Sequence, residues 1–291
     1  MMKMRKQIML LLATATLFAA CGGSDDEAVT PAPQPQPQRM LTVEVSERPL
    51  QTEGTPKAPR RADAATTTET LNTFRMCTNV SGDIWSVELT KTAGKWTTQW
   101  PSSSEEKYNF YAYNVGSKNE FEWNGGEPYV SFTMEEEVAN QKDFLVAKTA
   151  EAKSWSETGG KVSLTFDHAC AAVQFFVYKE ENATYYVKEI QLLNVNKHGT
   201  YHFNSNTWSD ISTPENFTNF TLTTGEITPS GTKTPLPKGW LYVIPQSKEG
   251  MQLQITYTKN GDGGTEKTMT MPLSGSWAAG NQYTVNIKIG K

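Results

Sequence analysis

Three histidines and three cysteines are all that this 291-residue chain offers for metal or thiol chemistry. His198 and His202 stand four apart, a spacing that would put two ligands on one face of a helix. Gly199, Thr200, Tyr201 and Phe203 read as a strand instead, and no cysteine or acidic third ligand is near. His168 reads as a hydrogen-bonded core or bulge residue rather than a base. Cys77 and Cys170 form a disulfide only if the fold brings them together, and are otherwise buried thiols. The NGDGG stretch lacks the Lys-Ser/Thr of a phosphate loop, and neither G-x-S-x-G nor H-E-x-x-H occurs. These residues imply no catalytic centre, no metal and no cofactor.

The elements around them read as strands. The hydrophobic share is 37% and the charged share 20%, the range of a globular chain. Lys+Arg number 27 against 31 Asp+Glu, and the only basic block lies in the first six residues, so nucleic acid is not an expected partner. Short apolar runs recur between turns: Leu71, Phe74 and Met76; Ile84, Trp85, Val87 and Leu89; Trp96 and Trp100; Phe110 to Tyr113; Phe121 and Trp123; Tyr129, Val130 and Phe132; Phe144 to Ala147. After ETGGK at 157–161 come Val162, Leu164 and Phe166 on even positions, then Ala171, Val173, Phe175 and Val177 on odd ones. That change of phase near His168 predicts a bulge or a change of sheet. Further strands follow at 190–195, 201–203, 240–244 and 253–257. The chain closes on the alternation Tyr283, Val285, Ile287, Ile289, which can pair within its own domain or be donated to a neighbour. Met134 to Asn140 is the one stretch read as a short helix. The expected fold is all-β: two β-sandwiches, at 62–160 and 161–291, with ETGGK as the boundary. Eight Trp keep glycan binding open as an alternative, although most sit where core or edge packing is expected.

The N-terminus reads as an address. Lys3, Arg5 and Lys6 precede the apolar run Ile8 to Phe18 and the small residues Ala19 and Ala20, the pattern of an export signal over residues 1–20. LFAAC resembles a bacterial lipoprotein box, which makes Cys21 the acylated residue and the lipid anchor to the outer membrane. CGGSDDE resembles the acidic export tag of surface lipoproteins of Bacteroidetes-type bacteria.

Residues 22–40 contain PAPQPQPQ, a semi-rigid polyproline II spacer. Leu41, Val43 and Val45 then alternate with Thr42, Glu44 and Ser46, a short half-buried strand. A second irregular stretch separates this strand from the body, and within it Arg60 and Arg61 are placed for a trypsin-like protease. Two readings fit: an edge strand on a long loop, or a removable strand. In the second, a cut after Arg61 frees residues 22–61 and opens an apolar groove where Leu41, Val43 and Val45 lay, a template for strand addition from another chain.

The whole layout resembles a fimbrillin, the subunit of protease-assembled pili of Bacteroidetes-type bacteria. The resemblance is carried by LFAACGGSDDE, RRADAATTTETLNTFRM, QKDFLVAKT, VSLTFDHACAAVQFFV, WLYVIPQ and WAAGNQYTVNIKI. It implies two transthyretin-like β-sandwiches, export to the cell surface as a lipoprotein, removal of the N-terminal segment by an Arg-specific protease, and polymerisation by donor-strand exchange with other fimbrial subunits. On this chain it makes Cys21 the lipidated residue and Arg60 or Arg61 the cleavage residue. Leu41, Val43 and Val45 become the displaced strand, and Tyr283, Val285, Ile287 and Ile289 the candidate donor. The competing reading is a tethered surface lipoprotein that binds glycan or host protein without polymerising.

Overall fold

A computed structural model describes residues 39–52, 71–114, 120–135, 140–179, 183–211, 220–221, 225–227, 233–235, 240–261 and 263–290. The export signal, Cys21, the Pro-rich tether, Arg60 and Arg61 lie outside these residues, as do residues 136–139 of the expected helix.

The regular secondary structure of the described residues is nearly all strand. Its largest sheet runs in the order β4 (Asp83–Thr90), β3 (Thr73–Val80), β6 (Tyr111–Tyr113), β9 (Leu145–Lys148), β10 (Lys161–His168), β1 (Met40–Glu47) and β5 (Trp96–Gln99). Its two outer strands, β4 and β5, lie against each other, so the sheet curls around its own apolar face. Phe74, Met76, Leu89, Trp96, Trp100, Phe110, Val162, Leu164 and Phe166 fill the interior. Alternation sets which residues face inward: along β10, Val162, Leu164 and Phe166 are buried and Lys161, Ser163 and Thr165 are exposed.

Two further sheets enclose a second core. One contains β17 (Thr234–Pro235), β11 (Ala171–Lys179), β23 (Asn281–Ile289) and β2 (Gln51–Thr52), with β18 (Leu241–Val243) also on β11. The other contains β15 (Phe220–Thr221), β12 (Tyr185–Leu193), β20 (Gln252–Lys259) and β21 (Glu266–Pro272), with β16 (Gly225–Ile227) also on β12. Val173, Phe175 and Val177 of β11 meet Val187, Ile190 and Leu192 of β12 and Leu253 and Ile255 of β20 across the gap. NGDGG joins β20 to β21, which pair antiparallel from Gln252↔Pro272 to Thr258↔Glu266. A two-strand ribbon, β19 (Gln246–Ser247) with β22 (Ser276–Trp277), lies beside them.

The two sequence halves are interlocked. A four-stranded sheet orders β14 (Thr207–Ser209), β13 (His198–His202), β8 (Glu127–Thr133) and β7 (Glu120–Asn124), strands drawn from both halves. Tyr201 of this sheet and Phe203, just past the end of β13, join Tyr111, Tyr113 and Phe144 in a third core. Residues 161–168, placed by the sequence after the domain boundary, pair instead within the seven-stranded sheet. The chain crosses between sheets at Ala169 and Cys170, where the hydrophobic phase changes.

ETGGK marks a helix end. The one α-helix among the described residues is α1 (Trp155–Thr158). Ser154 and Glu157 form a reciprocal capping box, and Gly159 closes the helix in the left-handed region. Ile84, expected to help bury its strand, is exposed, because Trp85, Val87 and Leu89 hold the inward phase of β4.

Candidate functional site

The N-terminal strand is not at a sheet edge. β1 lies parallel to β10 from Thr42↔Lys161 to Glu47↔Phe166 and antiparallel to β5 from Met40↔Gln99 to Val43↔Trp96. β5 has no other strand partner among the described residues, so it is held in the sheet by β1. Leu41 is 0% exposed and Val43 3%, both inside the first core, while Val45 is half-buried rather than sealed. Full burial of each such side chain contributes about 1.5–3 kcal/mol.

Both ends of β1 are tied down. At its start the Arg39 guanidinium pairs with Glu105 at 2.6 Å and donates to Ser104 O at 3.0 Å. Trp100 N donates to Arg39 O, and Thr42 N to Gly160 O, each at 2.7 Å. Gly160 permits this approach: its φ is +79°, and a Cβ there would fall 2.5 Å from Met40 O and against the Trp155 ring. Past β1, Arg48 donates two hydrogen bonds to Asp167 at 2.9 and 3.0 Å. Leu50 is buried in the third core, Gln51 N donates to Gly280 O at 2.7 Å, and β2 pairs parallel to the start of β23. The segment 39–52 therefore bridges the seven-stranded sheet and the C-terminal strand. Where β5 ends, β1 is uncovered on one side, and a cavity of about 550 Å³ opens there, walled by Glu44, Val45, Lys91, Lys95 and Lys161.

Beneath the end of β1 lies a buried ionic cluster. The Asp143 side chain is 0% exposed and that of His168 2%, and the Glu47 side chain is 9% exposed. His168 Nδ1 faces Asp143 Oδ2 at 2.5 Å, and Nε2 faces Glu47 Oε1 at 3.1 Å. The first contact is a hydrogen bond; the second is within ion-pair distance but poorly aligned, and His168 Nε2, Glu47 Oε2 and Asp143 Oδ1 have no hydrogen-bond partner among the described residues. Burial works against a charged His168, yet the hydrogen bond to Asp143 and the charges of Asp143 and Glu47 outweigh it, and its pKa is pushed up to about 9. Burial pushes the Asp143 carboxyl upward against the pull of His168. The sequence marked His168 as a hydrogen-bonded core residue, which it is. It missed Asp143 and Glu47, though Glu47 continues the inward phase of Leu41, Val43 and Val45.

The other candidates are scattered. β23 is paired within its own chain, parallel to β11 from Ala172↔Gln282 to Lys179↔Ile289, with Tyr283, Ile287 and Ile289 buried and Val285 half-buried. His198 and His202 lie on β13 and bond separately, to Thr133 Oγ1 and Ser209 Oγ, each at 2.8 Å. Cys77 and Cys170 are buried free thiols, and burial pushes Cys77 up to about 11 and Cys170 well above its ordinary value. None of the eight Trp is exposed.

A family model described as fimbrillin-like matches residues 62–291, and the chain belongs to that family. Among solved structures it is similar to a fimbrial protein from Bacteroides vulgatus, with a TM-score of 0.56 and 16% identity over 86% of this chain and 95% of that one. A proposed cell adhesion protein from Bacteroides uniformis matches with a TM-score of 0.52 and 16% identity, covering 89% and 95% of the two chains. Another, from Bacteroides ovatus, gives 0.51 and 13%, covering 87% and 93%. At these identities the likeness is one of fold. No curated protein matches.

Proposed function

We propose that this protein is a structural, non-catalytic subunit of a surface fimbria, assembled after proteolysis by strand exchange, and that β1 is the strand removed. One observation carries the reading: the N-terminal strand is an interior strand of its sheet, with Leu41 and Val43 in the core. It is joined to the rest of the body through a stretch containing Arg60 and Arg61. The family match begins at residue 62, directly after Arg61, which supports a mature chain starting there. Loss of 22–61 takes away β1 and β2 together. It strips β5 of its partner and leaves a slot flanked by β10, into which an extended strand of another subunit fits by β-augmentation. For β23 to serve as that strand it must first leave β11. Cys21 is the proposed lipid anchor to the outer membrane before processing. The body is read as two β-units with their crossover at Ala169–Cys170. Adhesion through exposed Trp is less favoured, since the rings are in cores or half-buried.

The test is Arg-specific proteolysis of purified 22–291, read by intact mass and size-exclusion chromatography. A single cut after Arg60 or Arg61, loss of the 40–47 strand and denaturant-resistant multimers are expected. A cleanly cut body that stays monomeric with β1 gone overturns the polymer reading.

A further inference from the structure

We propose that the slot vacated by β1 selects its occupant by a carboxylate: the docking strand carries apolar side chains at the Leu41 and Val43 positions and an acidic side chain at the Glu47 position. This rests on the reading that β1 is removable, and adds what replaces it.

Side chains alternate along a strand, so Leu41, Val43, Val45 and Glu47 project to one face. The slot beneath them has two kinds of floor. Under Leu41 and Val43 it is apolar, built from residues such as Phe74, Trp96, Val162 and Leu164. Under Glu47 it is the His168 imidazole, buried at 5% exposure and held in orientation by Asp143 from the other side. With Nδ1 committed to Asp143, only Nε2 faces the slot, and Glu47 is the group that meets it. Removal of β1 leaves Nε2 without that partner. An apolar replacement leaves the buried imidazolium without its counter-charge on that side, a lysine sets like charges together, and a carboxylate restores the native ion pair. The pairs Ser46–Thr165 and Glu44–Ser163 lie on the exposed face of the same strand, where water replaces either partner, so they carry little selectivity.

The same reasoning separates candidate donors. A second copy's β23 offers Tyr283, Val285, Ile287 and Ile289 on one face. In the parallel register that sets Tyr283 at the Leu41 position, Ile289 falls at the Glu47 position and gives His168 no counter-charge. The favoured occupant is therefore a strand of a different subunit with Asp or Glu at the fourth inward position.

The experiment is peptide exchange on the nicked full protein, its own N-terminal fragment still in place. Labelled peptides span residues 39–51 in wild-type form and with Glu47→Gln, Glu47→Lys or Leu41→Asp, and a further peptide spans 281–289. Wild-type peptide should enter. Glu47→Gln should weaken binding roughly tenfold and Glu47→Lys more than about a hundredfold, as loss of the buried ion pair and burial of like charges predict. The 281–289 peptide should bind at least about tenfold more weakly than wild type. In a His168→Asn body the Glu and Gln peptides should bind alike. Should that variant not fold, the wild-type body with the two Glu47 peptides decides. Equal binding of the Glu, Gln and Lys peptides overturns the carboxylate selection and leaves strand removal standing. Equal binding of 281–289 overturns the preference for a different subunit. If no peptide enters the nicked protein, strand removal itself fails, and this inference with it.

Discussion

β1 and β23 are alike in sequence texture and unlike in how they are held. Both alternate apolar and polar residues, and both lie parallel to one of two consecutive strands, β1 on β10 and β23 on β11. β1 has partners on both sides but only two sealed side chains, and its inward face ends on a charged contact with His168. β23 is paired to β11 from Gln282 to Ile289, with three residues sealed, while among the described residues its other edge pairs only with the two residues of β2. Hydrogen bonding on two sides and the number of sealed side chains therefore do not run together in these two strands. β23 is committed to the second core through Tyr283, Ile287 and Ile289, whereas β1 adds two residues to a first core lined by many others.

The sharpest way to break this comparison is to place a charge in each strand. Ile287→Asp in β23 should remove the cooperative unfolding transition altogether, because an unpaired buried carboxylate costs several kcal/mol in a core to which this strand contributes three sealed residues. Leu41→Asp in β1 should instead expel β1 and leave the second core folded. Hydrogen exchange would then show protection lost at 40–47 and retained at 281–289. Equal loss in both segments would mean that β1 is as integral as β23.

A smaller effect comes from pH. The folded pKa of His168, about 9 against an ordinary 6.5, lies above its unfolded value. Its stabilising contribution is thus complete below pH 6.5 and disappears as pH rises through about 9. The charged neighbours are Asp143 from the segment before β9 and Glu47 from β1; the Cys170 thiol nearby stays neutral, since burial holds its pKa well above the ordinary value. Protection of β1 against exchange should fall between pH 6.5 and 9, by on the order of 2 kcal/mol, while protection of β23 stays level. His168→Asn should abolish that slope, and a slope unchanged in the variant would assign it elsewhere.

The smallest effect is expected at Arg48. Its two bonds to Asp167 are solvent-exposed, so Arg48→Ala should cost β1 less than about 1 kcal/mol, and the cost should shrink in high salt. A larger penalty in urea titration would make this pair, rather than the apolar face, the main hold on the strand.

Much of the fold was legible because strand alternation is a local signal. The phase change around His168 marked the crossover between sheets, and Leu41, Val43 and Val45 marked β1. The partners of those strands were not legible. Nothing in residues 157–168 says that β10 turns back to the first sheet, since pairing is decided by contacts far apart in the chain. Half of the His168 cluster could have been found: Glu47 continues the inward phase of β1, but an acidic residue at a strand end reads as solvated unless its neighbour is known. Asp143 gives no such signal, standing in an irregular segment whose burial is set by the third core. The S-x-x-E signature at Ser154 and Glu157 was readable and marks α1.

The crossover at Ala169–Cys170 also has a mechanical meaning. A strand in the β1 position pulled from its N-terminal end works against β10, which is restrained at its C-terminal end. β23 pulled from its C-terminal end works against β11, restrained at its N-terminal end. Opposite ends of two parallel pairs are loaded, so tension along the molecule slides each ladder lengthwise and stresses its hydrogen bonds together instead of one by one. The two ladders act in series through a covalent link of two residues, both buried, with no slack loop between them to pay out under tension.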